Sequence, residues 1–360
     1  MSEPAPRQLR ASSRSDLAEL VPYLVGFEPR DSLVVLVIDQ GHVAITARAD
    51  LGDVRSRRNA EQFLDRLLAR CPQTQGLYLA AYTDDPRIGW AMLTRCERYL
   101  GRRWADSMLI NGDTWYTADG ATGAVSRSGT MAAQGTFHGL QRRESREALA
   151  ADLASPPDSP DLHVQLRATL ESLAEMPGSI DAITLIDHSQ TLISHHLRRP
   201  ATLAAADALR LAVLTLHNDV RDAVVLSIST ANAPEHRDLW TRVVQQVPAS
   251  IAEAPLFLAG MASWISGEGA RAAVALERLQ AEPRPLLSGA TSMLAGIIDN
   301  LIPPQDWDAF RVHGLRSVHP DVRAAVTRHE ATWESVQPAP SVTGSEPPAR
   351  TNRPRPGPSI

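Results

Sequence analysis

The chain has 360 residues, of which 43% are hydrophobic and 21% charged, and its formal net charge is −5 at pH 7. This composition is ordinary for a globular protein, and the length allows two domains. No apolar run approaches the roughly 20 residues of a membrane helix, and the N-terminus lacks the apolar core of a signal peptide. The sequence therefore predicts a cytoplasmic protein with no membrane partner.

The basic residues and the cysteines exclude several kinds of chemistry. All 36 basic residues are arginine, so the chain has no lysine for a phosphate-binding loop of the usual form, a pyridoxal Schiff base or a Ser-Lys dyad. Residues 156–336 carry 14 arginines against 21 acidic residues, and no segment is basic enough to predict a nucleic-acid partner. Cys71 and Cys96 lie outside any CxxC motif, which predicts neither a disulfide framework nor a zinc site.

The first elements of the chain are predicted to be a short helix and a hairpin. Residues 1–15 are expected to be disordered, and Asp16 is expected to cap a helix that ends at Tyr23. Leu33–Ile38 is a run of branched apolar residues typical of a buried strand. Val43–Ala47 has the period-two alternation of a second strand.

The hairpin turn predicts a register for these two strands. Gln40-Gly41 is suited to a two-residue loop, which fixes the residues that face each other. Polar residues then gather at the open end of the hairpin. The predicted pairs are Asp39 with His42, Asp31 with Asp50, and Leu33 with Arg48.

Helices and strands alternate after the hairpin. The predicted elements are a helix over Arg58–Arg70, a strand over Leu77–Tyr82, a helix from Pro86 to about Trp104, and a strand over Ser107–Ile110. This order predicts right-handed crossovers and an α/β domain over residues 16–155, with a mixed, partly parallel sheet. Residues 119–142 are predicted to form a long loop.

The second half of the chain is predicted to be mostly α-helical. The proline-rich stretch Ser155–Pro160 is the best domain boundary and places a helical domain over residues 156–336. Residues 337–360 contain seven prolines and are predicted to be a disordered tail. The expected helices cover residues 162–175, 181–196, 201–216, 219–230, 235–247, 254–266, 269–281, 285–300 and 319–335.

Polar side chains are expected to gather at the carboxyl edge of the sheet. If crossovers make the second, third and fourth strands run in one direction, their carboxyl ends share one edge, where open α/β sheets bind ligands. The alternative is structural, since aspartate caps helices and forms turns and an Arg-Asp pair neutralises itself. The candidate ligand-binding residues are Arg30, Asp31, Ser32, Arg48, Asp50, Asp84, Asp85, Asn111 and Asp113.

Other motifs lack the context that their chemistry needs. Residues 267–272 fit GxGxxA, but the preceding segment is predicted as a helix, so a tight turn between helices is favoured over a dinucleotide site. His188, His195 and His196 fall near one helical face without further metal ligands. There is no GxSxG elbow. The sequence therefore identifies no catalytic residue, metal site or cofactor.

Residues 256–283 are similar to one tetratricopeptide-type helical hairpin. Small residues at Ala259, Gly260 and Ala262 precede a turn at Gly267, although the segment is one residue short and has no clear further copies. Arrays of such hairpins bind peptides or proteins, which suggests a protein partner for the helical domain. Ordinary packing of two helices explains the same pattern.

Two blocks of sequence resemble a bacterial family common in high-GC actinobacteria, the domain-of-unknown-function family numbered 4192. The first is PYLVGFEPRDSLVVLV with the later ARADL, and the second is APLFLAGMASWISGEGARAAVALERLQAEP, supported by VRDAVVLSI. The resemblance covers roughly residues 17–310 and implies no established activity. Many relatives carry a cysteine-rich segment where residues 116–135 here contain no cysteine.

The sequence leaves two hypotheses about function. The favoured one is a non-catalytic binding or assembly module whose helical half binds a partner. The alternative is a small-molecule enzyme, metal-assisted, that uses Asp31, Asp50, Asp84 and Asp85. These carboxylates would have to lie close enough to share one cation.

Overall fold

In the computed structural model, the chain begins with a capped helix beside a long hairpin. The structure describes residues 11, 13–39, 42–72, 74–126, 128–137, 142–176, 181–198, 203–281 and 286–334. Helix α1 (Arg14–Val25) is capped by Ser13, whose hydroxyl accepts from the Asp16 amide. The prediction of Asp16 as the cap was therefore wrong: it is the third helical residue and completes a capping box by accepting from the Ser13 amide.

The hairpin contains a β-bulge that the sequence did not reveal. Strands β1 (Ser32–Asp39) and β2 (His42–Asp50) pair at Asp39 and His42, as predicted. The register then shifts by one residue at Val37/Ile38, because β2 contains one extra residue there. The two predicted pairs at the open end were consequently wrong by one position. The observed pairs are Ser32 with Asp50, Leu33 with Ala49, and Val34 with Arg48.

The sheet is mixed, as predicted, and the described residues contribute six strands to it in the order β2-β1-β3-β4-β5-β6. Strands β3 (Gly76–Tyr82) and β4 (Trp104–Asn111) are parallel, while β1 pairs antiparallel with both β2 and β3. Strand β2 therefore runs in the same direction as β3 but is separated from it by β1. The carboxyl ends of β2, β3 and β4 and the start of β1 share one edge.

Helices cover both faces of this sheet. Helices α2 (Arg57–Arg70) and α3 (Pro86–Leu100) lie against the face formed by Leu33, Val35 and their neighbours on β3. On the other face, Val34 and Leu36 join α1 in a core that continues into the helical half of the chain. Alternating side chains of one strand therefore enter two different cores.

Three predicted boundaries in the first half need correction. Helix α3 ends at Leu100, where Gly101 has a positive φ of 54°, and β4 begins at Trp104. Residues 119–142 are not one long loop. They contain β6 (Thr122–Ala124), which pairs with β5 (Thr114–Tyr116), and helix α4 (Thr130–Phe137). These short elements depend on partners distant in sequence, including Ser15, which accepts a hydrogen bond from the Trp115 indole.

The second half is mostly helical, as predicted, and one further helix was missed. Trp307–Ser317 is helical, and its Trp307 indole donates to the Ile228 carbonyl at 2.7 Å. None of the helices in the described residues is long and apolar enough to cross a membrane. The helices are α5 (Arg146–Ala151), α6 (Pro160–Ala174), α7 (Ala182–Arg198), α8 (Ala205–Leu214), α9 (Asn218–Ser227), α10 (Ala233–Val244), α11 (Glu253–Ile265), α12 (Gly269–Gln280), α13 (Ser288–Asp299), α14 (Trp307–Ser317) and α15 (Pro320–Glu334).

Helices α11 and α12 form the helical hairpin that the small residues indicated. A Cβ atom on Gly260 would lie 2.8 Å from Leu294 Cδ2 and 3.1 Å from Ala275 Cβ, so glycine is needed for this close approach. Gly267 turns the chain with a φ of 83°. Disorder was predicted for residues 1–15 and 337–360. Arg14 and Ser15 instead begin helix α1, and residues 1–10 and 337–360 lie outside the described residues.

Candidate functional site

Arg48 is the best-positioned polar side chain at the carboxyl edge of the sheet. Its Nε donates to Ser32 Oγ at 2.9 Å, and its two terminal nitrogens donate to the Asp50 carboxylate at 3.0 and 2.5 Å. The guanidinium also lies over the Phe27 ring, 5.6 Å from its centroid. Because three groups hold its guanidinium in place, Arg48 is fixed before any ligand arrives.

The structure brings five of the nine predicted site residues to the same end of the hairpin. Ser32 is fully buried and donates its hydroxyl proton to the Arg30 carbonyl at 2.5 Å, while the Arg30 side chain is exposed. Asp31 accepts from Thr83 Oγ1 at 2.9 Å and has a φ of 40°. A positive φ is uncommon for a residue other than glycine. These contacts stiffen the edge where Arg48 and Asp50 emerge.

The other four predicted residues lie at or just after the ends of β3 and β4 rather than in the hairpin. Asp84 is exposed, and Asp85 caps α3 by accepting from the Arg87 and Ile88 amides. Asn111 and Asp113 flank the β4–β5 turn, where the Asp113 carbonyl accepts from the Val125 amide. Within the described residues, no three His, Cys, Asp or Glu side chains are grouped so that they could hold a metal ion.

A cleft of about 880 Å³ opens beside Arg48, between the sheet and the helical half. All eight residues Val43–Asp50 of β2 line it. The opposite wall comes from the end of α11, from α12 and from the end of α13, and it is apolar except for Glu268 and Glu277. Its volume lies within the range of ordinary ligand sites. The apolar residues of this wall include Trp264, Ala270, Ala273, Ile297, Ile298 and Ile302.

The walls of the cleft are fixed by contacts within the helical half and between the two halves of the chain. The Trp264 indole donates to the Ile302 carbonyl at 2.9 Å, so this ring presents only apolar atoms that need no further partner. Arg146 of α5 forms an ion pair with Glu277 of α12 at the rim. This ion pair joins the two halves of the chain at the rim of the cleft.

A buried ionic network supports the α11–α12 turn behind the cleft. Glu268 pairs with Arg237 and, at 3.1 Å, with Arg271, and these two arginine side chains are only 6% and 4% exposed. Arg271 also reaches Asp152 of the first half at 3.2 Å, and Asp152 accepts from Arg143 Nε at 2.6 Å. Burial acts to lower the pKa of Arg237, but the carboxylates of Glu268 and Asp238 outweigh it and leave the pKa raised. Positive and negative charges are matched within the network.

The sequence pointed to Arg48 and Asp50 but missed the rest of the cleft. Trp264, Ala270 and Ala273 belong to the hairpin that was singled out for its small residues, and nothing in the pattern placed them opposite β2. The order of the strands would have been the useful signal, because it makes β2 an edge strand. That order depends on contacts distant in sequence.

The fold is a mixed α/β sheet followed by a mostly helical region, with a cleft between them. A model of the family described as Domain of unknown function (DUF4192) matches residues 15–305. The chain therefore belongs to the DUF4192 family, as its two sequence blocks indicated. No curated protein and no solved structure matches the chain.

Proposed function

We propose that this protein is a non-catalytic binding module whose ligand occupies the cleft between β2 and the α11–α13 wall. The observation that carries this proposal is the cleft itself, about 880 Å³ in volume and lined by apolar side chains from both halves of the chain. Buried apolar walls with a few fixed polar groups are what ligand sites offer. Arg48 supplies such a group.

The helical half takes part in this function as one wall of the cleft. This refines the hypothesis of a partner bound by the helical domain alone, because β2 contributes the other wall. The enzyme hypothesis receives no comparable support, since Asp31 accepts from Thr83, Asp50 is paired with Arg48 and Asp85 caps a helix. A binding module is the function that the arrangement supports best.

The proposal can be tested by filling the cleft. Ala273 lies on the α12 side of the cleft, so Ala273→Trp should occupy the space that a ligand needs. The exposed Ala281 at the end of the same helix provides the matched control, Ala281→Trp. The probe is the apolar dye 1-anilinonaphthalene-8-sulfonate, whose fluorescence rises in apolar sites.

We expect saturable dye binding to the full-length protein and to Ala281→Trp, and loss of most of the signal in Ala273→Trp. Circular dichroism of both variants establishes that they are folded. Undiminished binding to a folded Ala273→Trp protein would show that the cleft is not the site and would overturn the proposal.

A further inference from the structure

We propose that the ligand of the cleft is an extended, apolar segment of another polypeptide, which pairs with β2 as an additional strand of the sheet. This inference rests on the proposed function and names the chemistry of its ligand. Strand addition to a free sheet edge is a recurring mode of peptide recognition, in which main-chain hydrogen bonds supply affinity and side-chain pockets supply specificity.

Strand β2 is a long edge strand. It has nine residues and lies at one end of the strand order, whereas β6 at the other end has three. Proteins protect such edges with lysine, proline, a bulge or a covering element. Strand β2 contains no proline, and its charged residues Arg48 and Asp50 pair with each other. Its bulge lies at the hairpin end, so the edge is regular from Ile45 to Asp50.

The free edge of β2, rather than one of its faces, opens into the cleft. Successive side chains of a strand point to opposite faces, so a cavity on one face would touch every second residue. Here eight consecutive residues line the cleft, together with Val25 of α1 and Phe63 of α2. Those two helices lie on opposite faces of the sheet. Only a cavity at the edge can meet both of them.

The register identifies the main-chain groups that the edge offers. The Leu51 amide donates to the Asp31 carbonyl at 2.8 Å, which makes this a hydrogen-bonded pair of the antiparallel ladder. Hydrogen-bonded and non-bonded pairs alternate, so Thr46 and Arg48 belong to non-bonded pairs. Their N–H and C=O groups therefore point away from β1 and into the cleft.

The charges of the cleft favour a neutral ligand over an anionic cofactor. Arg48 is paired with Asp50, Arg146 with Glu277, and Glu268 with two buried arginines. The remaining charged lining residues are the exposed Arg66 and Asp53, one of each sign. A main chain with apolar side chains complements such a balanced, apolar cavity. Six paired residues would extend about 20 Å along β2.

The terminal segments of the chain are poor candidates for this strand. Residues 1–10 contain two prolines and residues 337–360 contain seven. Proline cannot donate to a strand ladder, and it is confined to positions where no donor is needed. We therefore assign the cleft to a segment of a different polypeptide.

The test uses a matched pair of substitutions at Thr46. Thr46→Pro removes the outward N–H, which does not pair with β1, while Thr46→Val removes the hydroxyl and keeps that donor. A displayed library of random 12-residue peptides is selected on the full-length protein, and the affinity of the selected peptides is measured by fluorescence anisotropy. The Ala273→Trp variant reports whether a peptide lies in the cleft.

We expect Thr46→Val to bind the selected peptides as the unaltered protein does, and Thr46→Pro to bind roughly tenfold more weakly. N-methylation of alternate peptide residues should weaken binding in the same way, and this measurement serves if Thr46→Pro does not fold. Equal affinity of folded Thr46→Pro and Thr46→Val, with binding lost in Ala273→Trp, would overturn strand addition but leave the proposed cleft function standing. Failure to select any peptide, while the dye still binds the cleft, would likewise overturn strand addition without contradicting the proposed function.

Two further outcomes would overturn the choice of partner. A chain ending at Glu334 that binds the peptides much more tightly than the full chain would identify the chain's own C-terminal segment as the occupant. A concentration-dependent dimer that Thr46→Pro dissociates would identify a second copy. Peptide binding that Ala273→Trp leaves intact would contradict both this inference and the proposed function.

Discussion

Neutralising Glu268 should destabilise the protein more than neutralising any exposed carboxylate. The substitution Glu268→Gln removes the charge that pairs with both Arg237 and Arg271, whose side chains are 6% and 4% exposed. Breaking a buried ion pair by removing one partner costs about 3–5 kcal/mol. Arg237 keeps Asp238 and Arg271 keeps Asp152, so we expect the lower end, about 3 kcal/mol.

The expected change in melting temperature follows from the size of the chain. With an unfolding entropy of about 2.1 cal/mol/K per residue, 360 residues give on the order of 0.8 kcal/mol/K. A loss of about 3 kcal/mol then lowers the Tm by about 4 °C in differential scanning calorimetry. Glu277→Gln is the control, because Glu277 is 54% exposed and an exposed pair is worth at most about 1 kcal/mol. Equal Tm values for the two variants would refute a stabilising role for the buried network.

Three further predictions concern His236, the cysteines and Gly260. Burial lowers the pKa of His236 to about 3, against about 6.5 in an unfolded chain. Between pH 3 and pH 6.5 only the unfolded state therefore binds this proton, and the free energy of unfolding falls as the pH drops below 6.5. Between pH 7.5 and 5.5 this group should remove about 1.4 kcal/mol, and urea unfolding of His236→Leu should show a pH dependence smaller by that amount; an unchanged dependence would contradict the assignment. Burial raises the pKa of the fully buried Cys96 thiol to about 11, so a disulfide reagent should modify the partly exposed Cys71 in the native protein and Cys96 only after unfolding. Gly260→Ala should lower the free energy of unfolding by roughly 1–2 kcal/mol in urea titration, because overpacking against Leu294 and Ala275 exceeds the gain in helix propensity.

The sequence predicted elements whose signals are local. The apolar run of β1, the Asp85-Pro86 start of α3 and the turn at Gly267 all depend on residues within a few positions, and each appears where it was expected. Helix α14 and strand β6 were missed because their stability comes from distant contacts, such as the Trp307 indole on the Ile228 carbonyl. Local propensity does not contain that information.

The sequence also predicted part of the candidate site, but not the cleft beside it. Strand direction placed Arg48, Asp50 and Ser32 at one edge, and the structure joins them through hydrogen bonds. The position of β1 between β2 and β3 was not predictable from the crossover pattern, and it makes β2 an edge strand. The cleft follows from that order and from the packing of α11–α13 against it.

The bulge in the hairpin couples the length of β2 to the chemistry of the cleft. Side chains alternate with a period of two, so the extra residue at Ala44 decides which residues share a face from that point onward. With the bulge, Arg48 lies opposite Val34 and emerges beside Phe27. In an unbulged pairing Arg48 would lie opposite Leu33, whose face packs against α2 and α3. The extra residue Ala44 therefore determines which face of the sheet Arg48 lies on. Insertion or deletion of one residue between Ala44 and Arg48 would move Arg48 to the opposite face.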